Sequence, residues 1–101
     1  MRELKFILPF DHTSLAHAVH NGVRSDLMGR FGGYSEYAGK GNWRDPKTGK
    51  EYPEDHIRYC VMAHENEIAF DNIAISAAET LGQKSLALCG FHGKWEFIDV
   101  G

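Results

Sequence analysis

The sequence predicts an α+β domain, an antiparallel sheet of four or five short strands with two helices on one face. Three observations carry this. Apolar residues recur at four-residue spacing in two separate stretches, around Leu15 to Leu27 and Ala69 to Leu81. Short apolar or alternating runs stand before, between and after those stretches, and Gly or Pro marks nearly every change of period.

The first strand is Leu4-Lys5-Phe6-Ile7-Leu8, closed by Pro9, which has no N–H to give a ladder. Asp11, Thr13 and Ser14 can each cap a helix that starts just after them. Leu15, Val19, Val23 and Leu27, flanked by Ala16 and Met28, then make the stripe of a helix of about five turns, and Gly32-Gly33 supplies a left-handed stop. Tyr34 to Tyr52 reads as a strand, a turn at Asp45-Pro46-Lys47-Thr48-Gly49, and a return strand. From His56 to His64 the chain alternates, with Ile57, Tyr59, Val61 and Ala63 on one face and Arg58, Cys60, Met62 and His64 on the other. Asn66 can cap the second helix, whose stripe Ala69, Ile73, Ala77 and Leu81 is broadened by Phe70, Ala74 and Ala78 and ended by Gly82. Ser85 to Phe91 and Lys94 to Val100 form a closing hairpin around His92-Gly93. This order is most economically a split βαβ, ferredoxin-like βαββαβ arrangement with an extra C-terminal strand, residues 1–101 forming one domain.

At 101 residues the chain has room for one hydrophobic core. With 43% apolar and 25% charged residues, it resembles ordinary globular proteins rather than disordered or fibrous ones. A formal charge of −3 lacks the basic footprint of nucleic-acid binders. No run reaches the roughly 20 apolar residues of a membrane span, and the N-terminus shows no signal-peptide core. Cys60 and Cys89 lie in apolar runs and are expected to be buried thiols, which fits a cytoplasmic location.

Arg30-Phe31-Gly32-Gly33, then Gly41-Asn42-Trp43-Arg44-Asp45 and Gly49-Lys50-Glu51-Tyr52, followed by a strand, a helix and a closing hairpin, resemble a group of small uncharacterised bacterial and phage proteins. That resemblance runs from about Leu4 to Val100 by element order and imports no activity. In topology more than in residues, the chain is also similar to phage S-adenosylmethionine lyases and to PII-type signalling proteins. Both are ferredoxin-like trimers that bind adenosine-containing ligands between subunits. The resemblance implies a place for a ligand but no catalytic residue.

The stretch from Tyr34 to Arg44 concentrates aromatic faces, cations and glycine, the mixture that stacks a base and holds a phosphate. Tyr34, Glu36, Tyr37, Lys40, Trp43 and Arg44 are therefore the candidate ligand-binding residues, although Gly39-Lys40-Gly41 lacks the strand-to-helix setting of a phosphate loop. His17 and His20 share a helix face and could take a metal with His12, but no HExxH or cysteine pair accompanies them and a solvated face is the plainer account. His64-Glu65 could act as an acid/base pair or simply precede a helix that favours acids at its start. Neither thiol has a local base that would make it a nucleophile. The acidic helix face Glu65, Glu67, Asp71 and Glu79 could dock a basic partner.

The expectation is a module that holds a nucleotide-like small molecule, with no cofactor, and that forms a homo-oligomer because a two-layer domain leaves one sheet face open. A phage counter-defence role suits such a module. The alternatives are a small enzyme such as an S-adenosylmethionine lyase, with Glu36 or a tyrosine handling a proton, and an acidic protein-binding inhibitor.

Overall fold

A computed structural model of all 101 residues shows the elements β1 (Arg2–Pro9), α1 (Ser14–Phe31), β2 (Ser35–Arg44), β3 (Glu51–Ala63), α2 (Glu67–Thr80), β4 (Ser85–Cys89) and β5 (Trp95–Asp99). The five strands form one antiparallel sheet in the order β2-β3-β1-β4-β5. This is the ferredoxin-like arrangement, with the extra strand added beside β4.

Strand alternation decides where the core lies. Leu4, Phe6 and Leu8 stand opposite Val61, Tyr59 and Ile57, and Leu88 opposes Phe6 from the other side. These side chains point to the helix layer and join Val23, Leu27, Phe70, Ala74, Ala77 and Ala78 in one continuous buried cluster. Phe6 is its centre, with ring centroids 5.3 Å from Tyr59 and 5.0 Å from Phe70. The other face of the sheet has no layer over it.

Helix α1 begins where Thr13, in extended backbone, accepts the N–H of Ala16 on its hydroxyl, and ends where Gly32 takes a φ of 76° and bonds Met28. Helix α2 departs from expectation at its start. Asn66 occupies the capping position, but its backbone is left-handed at φ 70° and its side chain makes no cap bond. The carboxylate of Glu67 instead accepts the N–H of Phe91 at 2.6 Å, tying the helix to the end of β4. Gly90 makes this approach possible, since a Cβ there would lie 2.6 Å from Glu67 Oε2.

The same contact corrects the expected tight hairpin at His92-Gly93. Pairing stops at Cys89 with Trp95, so residues 90–94 form the connection, because Phe91 gives its N–H to Glu67 and not to a partner strand. The return strand and the alternating run from His56 are one 13-residue strand, β3. Its first five residues pair only with β2, so residues 40–44 and 51–55 make a two-stranded ribbon extending past the end of β1. No helix is long and apolar enough to cross a membrane.

Candidate functional site

Of the ten exposed large apolar side chains, Tyr37, Trp43, Tyr52, Met62, Trp95 and Phe97 all belong to the face of the sheet opposite the helices. The register places Tyr37 beside Arg58, with the guanidinium 4.7 Å from the ring centroid, and Trp43 beside Tyr52. Two glycines of β2 serve this face. A Cβ at Gly39 would lie 2.6 Å from His56 Nε2, and one at Gly41 would lie 3.3 Å from the Trp43 indole, so both rings rest on bare backbone. Gly39-Lys40-Gly41 is thus regular strand, and its glycines make room for rings.

Two clefts meet at the rim of the sheet, where β1 ends and the ribbon begins. One, of about 360 Å³ on the open face, is walled by Ile7, Trp43, Tyr52, Ala87 and Phe97. The other, of about 560 Å³ on the helix side, is lined by Phe10, His12, Lys40 and Asp55 among others. They share Pro9, Glu54 and Gln83. Both fall in the size range of small-molecule sites.

The polar groups of the rim are interlocked. His12, in left-handed backbone at φ 64°, donates from Nε2 to Asp55 Oδ2 at 3.0 Å, which leaves Nδ1 as the acceptor of the neutral ring. Lys40 Nζ donates to the other oxygen of Asp55 at 3.1 Å. The hydrogen bonds from His12 and then Lys40 hold the Asp55 carboxyl below its ordinary range. Across the rim Trp43 Nε1 donates to Glu54 Oε1 at 3.3 Å.

Strand alternation divides the residues that the sequence put forward as one group. Tyr37 and Trp43 face the open side, whereas Glu36, Lys40 and Arg44 lie on the other. Tyr34 precedes β2 and packs on the core, its ring centroid 6.3 Å from that of Tyr59. Glu36 is gripped on both oxygens by Arg24, at 2.9 and 3.0 Å, and Arg44 lies 3.8 Å from Glu51. Lys40 and Trp43 alone of the six line the rim clefts. Asp55, Glu54, Tyr52 and Gln83 join them, and the turn could have revealed the first three. A hairpin centred on Asp45 to Lys50 brings Lys40 opposite Asp55, Gly41 opposite Glu54 and Trp43 opposite Tyr52. Gln83 arrives through a tertiary contact and has no such signal.

The histidines separate as well. His20 is fully buried, donating from Nε2 to the carbonyl of Pro9 at 2.9 Å and accepting the hydroxyl of Tyr59 on Nδ1 at 2.6 Å. A carbonyl only accepts, so this pair of bonds fixes the neutral tautomer. Burial drives the His20 pKa down and the Tyr59 pKa up. His17 is exposed and meets the ring of Phe10 edge-on. No three His, Cys, Asp or Glu side chains converge as a metal set would need. His64 and Glu65 are exposed and not bonded to each other. Cys60 and Cys89 are buried free thiols, and burial raises the pKa of Cys60. In the acidic helix face Glu67 is committed to Phe91, and burial followed by the charge of Glu67 raises the pKa of Asp71.

No family model and no curated protein matches the chain. Among solved structures, it is similar to a phage SAM lyase in complex with S-methyl-5′-thioadenosine, at a TM-score of 0.68 and 12% identity over 96% of this chain and 88% of that one. A phage SAM lyase in the apo state matches at a TM-score of 0.63 and 12% identity, over 96% and 87%. At such identity the likeness is one of fold. It supports the topological resemblance to these lyases and does not speak for PII-type proteins.

Proposed function

We propose that this protein binds an adenosine-type nucleoside at the rim of its sheet. The observation that carries the reading is the aromatic-walled cleft of Trp43, Tyr52 and Phe97, which meets a charged cleft of His12, Lys40 and Asp55. A flat base stacks on such walls, with about 1–3 kcal/mol per base from one aromatic contact. The polar part of the ligand then reaches over Pro9 toward Lys40 and His12. The ligand class is taken from the lyase of the same fold that was solved with S-methyl-5′-thioadenosine. Of the six residues read from the sequence, Lys40 and Trp43 touch the ligand in this proposal, while Tyr34, Glu36, Tyr37 and Arg44 shape the strand that carries them.

The protein works as a homo-oligomer through its open sheet face. Six large apolar side chains stand exposed there. Bare aromatics are costly to leave in water, and a second copy covers them. The free thiols suit a reducing cytoplasm, and sequestering a host nucleoside is a task that fits phage counter-defence.

The His12 and Asp55 pair favours a second reading, turnover of the bound nucleoside. An imidazole oriented by a carboxylate is a proton-transfer group, and it replaces Glu36 in that role because Arg24 occupies both oxygens of Glu36. Native mass spectrometry combined with titration of S-methyl-5′-thioadenosine tests the proposal. A discrete oligomer that binds the nucleoside saturably, with the binding lost in Trp43→Ala, is the expected result. A bare monomer with no binding removes it. Release of an altered nucleoside from the wild type, but not from His12→Asn, selects the second reading.

A further inference from the structure

The charged side chains that line the two rim clefts are Asp11, Lys40, Glu54 and Asp55, with His12 beside them. Three carboxylates stand against one ammonium, so with His12 neutral the clefts carry a formal charge of −2. Hydrogen bonds favour the ionised form of two of these carboxylates. The hydroxyl and then the N–H of Thr13 hold the Asp11 carboxyl below its ordinary range, as His12 and then Lys40 do for Asp55.

The groups that could grip an anion are already engaged. Lys40 Nζ and His12 Nε2 each donate to an oxygen of Asp55, and Trp43 Nε1 donates to Glu54. Arg44, the other cation of the candidate stretch, lines neither cleft and lies 3.8 Å from Glu51. Lys50 stands over the Tyr52 ring, 5.2 Å from its centroid, without lining either cleft, and its single charge still leaves the sum negative. The side-chain donors that remain in the clefts are neutral, namely the Gln83 amide and the hydroxyls of Tyr52 and Ser85.

We infer that the rim selects its ligand by charge, admitting nucleosides and turning away nucleoside phosphates. The inference rests on the nucleoside reading above and deepens it. Tyr34 to Arg44 has the composition to stack a base and hold a phosphate, and the folded rim keeps only the first of these tasks. A phosphate monoester carries a charge of about −1.5 to −2 at neutral pH. It meets a like charge whichever way the ligand lies, because both clefts enter the sum. Lys40 can swing from Asp55 to a phosphate, but this bares Asp55 and leaves the net charge as it was. The hydroxyls of a ribose face no such repulsion, since they can donate to carboxylate oxygens.

The probes are adenosine and adenosine 5′-monophosphate, which share base and ribose and differ only in the phosphate. Both are titrated calorimetrically at about pH 8, where histidines are ordinarily neutral. At about 0.01 M salt, where charges are little screened, the wild type should bind adenosine roughly tenfold or more tightly than the monophosphate. At about 1 M salt, where the Debye length falls to about 3 Å, the gap should close to within about twofold. The double variant Asp11→Asn/Glu54→Gln removes the net charge and keeps the oxygens that accept Thr13 and Trp43. It should close the gap at low salt, with circular dichroism checking its fold, and the salt series on the wild type decides the matter even if it does not fold. Equal or tighter binding of the monophosphate by the wild type at low salt overturns the inference. So does a gap that neither salt nor the folded variant narrows, which would assign the exclusion to the bulk of the phosphate. Both results leave base recognition at the rim intact. Failure of both probes to bind the wild type overturns the underlying reading, and the inference with it.

Discussion

The two faces of the sheet are built from the same strands and have opposite fates. Toward the helices, Leu4, Phe6, Leu8 and Tyr59 are completely buried, and the polar atoms among them are paired, as with Tyr59 and His20. Away from the helices Trp43 is 46% exposed and Phe97 71%, and His56 and Arg58 each carry a buried nitrogen with no partner. A sequence whose purpose ended with folding would place polar groups on the second face, since an antiparallel sheet can leave one side to water. The contrast teaches that the helix side holds the fold together, while the open side leaves its large aromatic side chains uncovered in the single subunit, the feature on which the proposed contacts rest.

The sharpest way to break this division is to exchange its costs. Phe6→Ala should destabilise the protein by about 3–5 kcal/mol, since it empties a fully buried site between Tyr59 and Phe70. Phe97→Ala should change the stability of the folded subunit by no more than about 0.5 kcal/mol and should instead weaken self-association. Urea unfolding and sedimentation read the two effects separately. If Phe97→Ala costs as much as Phe6→Ala at a subunit concentration too low for association, the division between the faces is mistaken.

A smaller effect concerns the polar pair beneath the helices. Tyr59→Phe leaves His20 Nδ1 buried without its donor and should cost about 1–3 kcal/mol. It also exposes a pH dependence whose sign is set by burial. The folded His20 pKa lies below its ordinary 6.5, so on acidification the unfolded chain takes up a proton first. Stability contributed by neutral His20 is therefore present above about pH 6.5 and is lost as pH falls from there toward the folded pKa. Thermal melts at about pH 7.5 and about pH 5.5 should show a lower midpoint in acid. The drop should shrink in His20→Gln, and an unchanged drop would assign it to other groups.

The smallest effect separates ring accommodation from flexibility. Gly39→Ala should leave the helix side untouched, cost on the order of 1 kcal/mol, and displace His56, because its Cβ would fall 2.6 Å from that ring. The His56 imidazole resonances report the shift. If they stay fixed while the stability falls, backbone freedom is the reason for this glycine.

How much of this was legible in the sequence depends on whether local pattern or tertiary contact decided it. The helices were legible because their stripes and the glycines Gly32 and Gly82 are local. So were the faces of β3, because alternation is local too. Asn66 misled, because capping propensity was overridden by the Glu67 tie to Phe91. His20 looked like one more surface histidine, since nothing near it in the chain announces Tyr59, 39 residues away. Tyr34 to Arg44 was legible as chemistry but not as geometry. The strand itself was legible, but grouping its aromatic and charged residues into one site passes over its alternation, which sends Lys40 and Trp43 to opposite sides of the rim.

We propose above all that the open face and its rim receive a nucleoside. Backbone amide shifts in a ¹⁵N spectrum, followed as S-methyl-5′-thioadenosine is added, test it most directly. Saturable shifts confined to Phe10 through His12, to the ribbon from Lys40 to Asp55, to Gln83 through Ala87 and to Phe97 are the predicted result. No shifts, or shifts confined to the groove of about 960 Å³ that runs along α2 past Asn66 and Ile73, would contradict it.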